Sequence, residues 1–272
     1  MPTHDWEVLR DNVQDHIKGL NFGYKVQLRD EGVKYINKLG SFVSPNELQV
    51  VDKKGKADTI SAARFIIATG GRPTLPDCVG AEHAITSDDL FMLPQAPGKT
   101  CVLGAGYVAL ECAGFVTGLK GGEVTVLVRS IPLRGFDRDI VEKVVDYMTN
   151  AGTKIVTGVT PASIVKIPAG TDGSTRDKFN VTYSNGESDI FDTVLCAIGR
   201  RADTQKLNIE ALGVTVNPSN GKIIATNEQT SVPNIYAIGD VVDKTPGRWK
   251  RCVVQFTMLC SVIFLLLLLL LM

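Results

Sequence analysis

The segment Gly104-Ala105-Gly106-Tyr107-Val108-Ala109 has the spacing with the most specific chemistry in this sequence. It follows the apolar run Cys101-Val102-Leu103 and opens an apolar stretch of helical character at 107–119. At a strand-turn-helix junction the first glycine permits the tight turn and the second lets a pyrophosphate approach the backbone. A small third residue lets helix pack on strand. The helix amino end then stabilises phosphate charge. Without those flanking elements the same residues are an ordinary glycine turn.

The next apolar run, 124–128, ends in Arg129 and Ser130, with Arg134 following. A dinucleotide site that takes an unphosphorylated ribose puts a carboxylate at that strand end. None stands here. Two guanidiniums match a phosphate in forked geometry, so the pair favours a 2′-phosphorylated cofactor, NADPH, over two solvated surface arginines. Two further turns follow buried strands. Asp240, after Gly239, could accept from hydroxyls of a bound ligand or cap the next helix. Ala68-Thr69-Gly70 is either a plain turn or one facing a second cofactor.

These turns need elements to position them. Leu9, Val13, Ile17 and Leu20 predict a helix over 5–20. Alternation at Tyr24, Val26 and Leu28, then at Leu48 and Val50, predicts strands between 24 and 51, with a turn at Lys53-Lys54-Gly55. Residues 65–68 read as a buried strand, and Pro94, Pro97 and Gly98 mark a linker. After it the pattern is βαβαβ: strands at 101–103, 124–128 and 155–156, helices at 107–119 and 137–150, the second opening with acidic residues. Segments 161–168 and 178–185 predict an antiparallel insertion around the turn at 170–173. Residues 194–198 return to a buried strand. Residues 214–238 predict short strands with a turn at Asn220-Gly221.

Composition narrows the classes. Lys+Arg and Asp+Glu each number 29 in 272 residues, which removes the basic field that a nucleic-acid binder needs. The six cysteines (Cys78, Cys101, Cys112, Cys196, Cys252 and Cys260) form no CxxC, no short redox pair and no zinc-like pair of pairs, so no metal is expected. Buried reduced thiols suit a reducing compartment, and the polar first ten residues carry no signal peptide, which predicts a cytoplasmic protein. Residues 252–272 are nearly all apolar and follow Arg248, Lys250 and Arg251. They are long enough for a membrane anchor. The homopolymeric leucines favour instead a reading that has left its coding frame near Gly247.

Taken in order, the turn Ala68-Thr69-Gly70 with Arg72-Pro73, the GxGxxxxE run ending at Glu111, Ala197-Ile198-Gly199-Arg200, and Ile-Tyr-Ala-Ile-Gly-Asp over 235–240 resemble the two-dinucleotide flavoproteins of the pyridine nucleotide-disulfide oxidoreductase family. Within it, HIKGLNFGYKVQLR (16–29), TSDDLF (86–91), YVALECAGF (107–115) and VRSIPLRGFD (128–137) look like the large thioredoxin reductases, with similarity over about residues 4–246. Glutathione reductase and thioredoxin-glutathione reductases remain alternatives, as does a non-catalytic, membrane-tethered NADPH-binding protein.

The resemblance implies an α/β fold. A Rossmann-like NADPH-binding domain (94–225), a parallel sheet with an antiparallel insertion, would sit inside a partial FAD-binding domain (1–93, returning at 226–247), with an apolar tail at 248–272. It implies that Gly104, Ala105, Gly106, Val108 and Glu111 line the NADPH site and that Tyr107 gates the flavin's nicotinamide face. Arg129 and Arg134 would hold the 2′-phosphate, with Gly199 and Arg200 nearby. Leu39, Gly40, Ala68, Thr69, Gly70 and Asp240 would contact FAD. Hydride would pass from NADPH to FAD, then to a disulfide and on to thioredoxin, in a homodimer. The family's FAD-binding GxGxxG, its CxxxxC redox pair, its His-Glu pair and its dimerisation domain have no counterpart in these residues. Catalytic residues are therefore expected to be absent, FAD binding impaired, and the polypeptide incomplete and inactive alone.

Overall fold

The computed structural model describes residues 5–119, 122–171 and 173–243. In chain order these begin with helix α1 (Trp6–Asp30) and strands β1 (Leu39–Ser44), β2 (Glu47–Val51), β3 (Ala57–Ser61), β4 (Phe65–Ile67), β5 (Gly71–Pro73) and β6 (Ile85–Thr86). There follow β7 (Thr100–Leu103), α2 (Tyr107–Gly118), β8 (Val124–Val128), α3 (Arg138–Asn150) and β9 (Thr153–Thr157). Last come β10 (Pro161–Ile167), β11 (Lys178–Tyr183), β12 (Ser188–Phe191), β13 (Thr193–Cys196), β14 (Arg200–Ala202) and β15 (Ile235–Ala237). The expectations for 248–272 fall outside the described residues. No helix among the described residues is long and apolar enough to cross a membrane.

The chain packs as two units. Of the described residues, the first contains α1 and those from Pro73 to Arg200, and the second contains Ile36–Arg72 with those from 201 to 243. The centre of the first unit is a five-stranded sheet in the order β6-β13-β7-β8-β9, all of whose pairings are parallel. Every residue of β7 and β8 is buried, as expected of parallel strands covered on both faces. Side chains alternate across that sheet. Val102, Val124, Val126 and Val128 join one core with Ala109, Ala113 and Val116 of α2. Cys101, Leu103 and Leu127 join another, with Ile164, Val181 and Phe191 of the antiparallel sheet β10-β11-β12. Sequence alternation anticipated β10 and β11. The third strand, β12, went unrecognised because SDIF is too short to show a period.

Helix α1 corrects the expectation of strands after residue 20. Its helix runs on to Asp30, started by Asp5, whose carboxylate accepts from the N–H groups of Glu7 (2.9 Å) and Val8 (3.2 Å). Leu20, Tyr24 and Leu28 are four residues apart, so part of the pattern read as alternation is equally one helical face. Packing anchors only its first half. Trp6 is buried and donates from Nε1 to Leu93 O at 3.0 Å, Leu9 packs on the core, and Gln14 donates to Phe91 O. Ile17, Leu20, Phe22 and Tyr24 are exposed.

The second unit has an antiparallel sheet, β1-β2-β3, and the parallel pair β15-β4. Its core gathers Phe42, Ile67, Ala202, Ile209, Val214, Ile223, Ala225, Ile235, Ala237 and Val241. The units therefore divide elsewhere than at the boundaries placed from sequence at 93/94 and 225/226. Ile85 and Thr86 extend the parallel sheet beside β13, and residues between 202 and 225 share one core with β15. Only tertiary pairing decides either assignment.

Candidate functional site

In the first unit the sequence-predicted residues collect at the carboxyl ends of β7, β8 and β13. The chain runs β7-α2-β8-α3-β9 in one direction across the sheet and then returns to place β13 on the other side of β7. Ligands of open α/β sheets bind outside the strand ends at such a reversal. Gly104 lies between two strand ends. Its N–H donates to Leu127 O at 3.0 Å, and a Cβ added to it would sit 2.5 Å from Ala197 O. With φ at 107°, the position is one that L side chains rarely adopt. The glycine turn and the Ala197–Arg200 turn are thus neighbours, joined also by Ala197 N–H to Leu103 O at 2.9 Å.

Gly106 is different. Its backbone is extended (φ −76°, ψ 176°), it caps α2 without any side-chain hydrogen bond, and a Cβ there would meet nothing within 4 Å. The first N–H groups of a helix have no intrahelical acceptor. Here no side chain caps them and no acidic residue stands in the first turn. An open approach to an uncapped helix amino end fits a phosphate. Ala105 and Val108 pack against the core beneath, and Tyr107 is 44% exposed beside the opening. Glu111, one turn further on, is half-buried, and burial pushes its carboxyl up from the ordinary value.

Arg129 and Arg134 are exposed on the loop between β8 and α3. That loop folds back on the glycine turn, because Leu133 N–H donates to Ala105 O at 2.8 Å. Arg134 Nη2 donates to Ser130 Oγ at 2.6 Å. Among the described residues no carboxylate pairs with Arg129 or Arg134, so both charges are open to an anion. Gly199, with φ at 143°, is held by Thr74, whose N–H (3.0 Å) and hydroxyl (3.1 Å) both donate to Gly199 O. Arg200 lies 3.6 Å from Asp88 in an ion pair. Sequence reading passed over Thr74, Leu133 and Arg138, since their partners are backbone carbonyls and no spacing reveals those.

The second unit brings a different set together. Strands β4 and β15 run parallel, and Ile238 N–H donates to Ile67 O at 3.0 Å, so Ala68-Thr69-Gly70 and Gly239-Asp240 leave adjacent strand ends. Gly70 (φ 66°) and Gly239 (φ 77°) each have open space where a Cβ would be. Asp240 is exposed in a short 3-10 turn and makes no side-chain cap, leaving its carboxylate available as an acceptor. These features fit a polyhydroxyl or dinucleotide ligand. Leu39 and Gly40 open β1 of the antiparallel sheet in the same unit, opposite Val51 and Val50, with Leu39 61% exposed.

The sequence matches the family model described as pyridine nucleotide-disulphide oxidoreductase over residues 2–255. It is 47% identical over 243 residues to thioredoxin reductase SEP1 of Emiliania huxleyi, an alignment covering 89% of this chain and 48% of that relative. The chain therefore spans about half the length of the curated relative it matches. A parallel sheet with a glycine turn at its reversal point agrees with the family match, and the chain belongs to the pyridine nucleotide-disulphide oxidoreductases.

Proposed function

We propose that this chain supplies the NADPH-binding part of an NADPH-dependent disulfide reductase of the thioredoxin reductase type. The observation that carries the reading is the Leu133–Ala105 hydrogen bond, which brings a loop with two unpaired guanidiniums onto an uncapped helix amino end. In this reading the N–H groups at the start of α2 hold the pyrophosphate, Gly104 permits the tight turn, Gly106 keeps the approach clear, and Arg129 and Arg134 bind the 2′-phosphate. Tyr107 covers the nicotinamide end, and Gly199 lines the opposite wall. NADPH, when bound, supplies a hydride.

FAD is assigned to Ala68, Thr69, Gly70 and Asp240, where a carboxylate and open glycine turns suit a ribityl chain. The hydride would pass to that flavin and its electrons to a disulfide, with thioredoxin as the substrate class suggested by the name of the relative. These 272 residues hold no cysteine pair at CxxC or CxxxxC spacing, so this polypeptide alone is expected to give no NADPH-dependent disulfide reduction. Assembly as a homodimer and a place in the reducing cytoplasm belong to the same proposal. Thiols free of disulfides at Cys78, Cys101, Cys112 and Cys196 support the compartment.

Calorimetric titration of the full chain with NADPH and with NADH tests the assignment. The expected result is a preference for the phosphorylated cofactor of at least tenfold, lost on replacing Arg129 and Arg134 with alanine, in line with about 1.5–3 kcal/mol for hydrogen bonds to charged groups. Equal affinities in the unaltered chain, or no effect of the double substitution, would overturn it.

A further inference from the structure

We propose that Arg138 is a positioning residue for cofactor selectivity, shaping the loop that presents Arg134; this rests on reading that loop as the 2′-phosphate contact. Arg138 is the first residue of α3 and is exposed. A cation there faces the positive end of the helix dipole, which disfavours it. The guanidinium instead turns back onto the loop. Its Nε donates to Phe136 O (3.2 Å) and its Nη1 to Pro132 O (3.1 Å). Its Nη2 donates to Pro132 O (3.1 Å) and Leu133 O (2.8 Å). Three carbonyls of an irregular segment are held by one rigid planar fork.

The residue held most tightly is the strained one. Leu133 has φ at 44°, a left-handed conformation that is strained for any residue but glycine. Its N–H is fixed by Ala105 O, its side chain packs on the core, and its carbonyl accepts from both Arg138 and Phe136 N–H (3.1 Å). Arg134 is the next residue, and Gly135 (φ 91°) turns the chain away immediately after it. The direction of Arg134 is thus set by a conformation that Arg138 holds in place. Arg138 commits four of its five N–H donors to carbonyls of the loop, so it acts through Arg134.

The test is a double-mutant cycle on the full chain, titrated with adenosine 2′,5′-bisphosphate and with 5′-AMP, which need no flavin. Arg138→Gln is expected to lower affinity for the bisphosphate on the order of three- to tenfold. Binding of 5′-AMP and the melting temperature should not change. In an Arg134→Ala background the same substitution should have no further effect on selectivity. Arg138→Lys should behave like Arg138→Gln, since a point-like ammonium on a flexible stem does not reproduce the planar fork that spans these carbonyls. Unchanged selectivity in Arg138→Gln, effects that multiply with Arg134→Ala, or full rescue by Arg138→Lys would each overturn the proposal. If the unaltered chain does not distinguish the two nucleotides, the reading of the site fails instead, and that result is distinguishable from the others.

Discussion

Gly104 and Gly106 are two residues apart in one motif yet are required for opposite reasons. Gly104 is confined by protein: its backbone is left-handed and its missing Cβ is occupied by Ala197 O. Gly106 is confined by nothing in the chain, since its backbone suits any residue and the space above it is open. Gly104→Ala should therefore destabilise the fold by about 1–3 kcal/mol and weaken nucleotide binding along with it. Gly106→Ala should cost about 0.5–1 kcal/mol as a helix-cap change, with binding reduced at least tenfold by the methyl group. Thermal melts and nucleotide titrations of the two variants separate the roles. A Gly106→Ala chain that binds normally would show that no ligand approaches there.

Helix α2 serves packing and ligand at once. Its inner face is mostly small, with Ala109, Cys112 and Ala113 buried, which lets it approach the sheet closely enough to aim its amino end across the strand ends. Glu111 lies on the same helix without a cation beside it, and burial raises its carboxyl above the ordinary value. Burial thus disfavours its charged form relative to the unfolded chain. That contribution to stability is complete below the unfolded-state value and declines as pH rises through the raised folded value. Glu111→Gln should remove the decline. Melting curves at about pH 4 and about pH 7 should then show the variant gaining on the unaltered chain at the higher pH. An equal loss at both would mean that Glu111 holds the helix by a role independent of its charge.

At the scale of the molecule, each unit has its own core and its own cluster of glycine turns at parallel strand ends. The thiols follow the core and not the chemistry. Burial pushes Cys101 up and Cys112 up to about 12, while Cys78 is only partly covered. Alkylation of the native chain, mapped by mass spectrometry, should reach Cys78 on the order of 100-fold faster than Cys101 and Cys112. Comparable rates would mean that the parallel sheet opens far more readily than its packing indicates.

The amino-acid order alone determined the βαβαβ pattern, the glycine turn and the missing carboxylate at the end of β8, because these are local: periodicity and turn chemistry act within a few residues. It also placed Ala68-Thr69-Gly70 and Asp240 as turns after strands, although β4, expected to be buried throughout, is buried only at Ile67 and leaves Ile66 65% exposed. It misjudged residues 24–30, where four-residue and two-residue spacing share the same side chains, and it had no means of finding β12. Only the tertiary structure decided which turns meet. Ala197 closes over Gly104, β4 and β15 pair across more than 160 residues of chain, and the Arg129–Arg134 loop folds onto Ala105. Each of these depends on a backbone group whose partner is chosen by the packing of whole strands, and backbone groups are the same in every residue, so no pattern of side chains could have announced them.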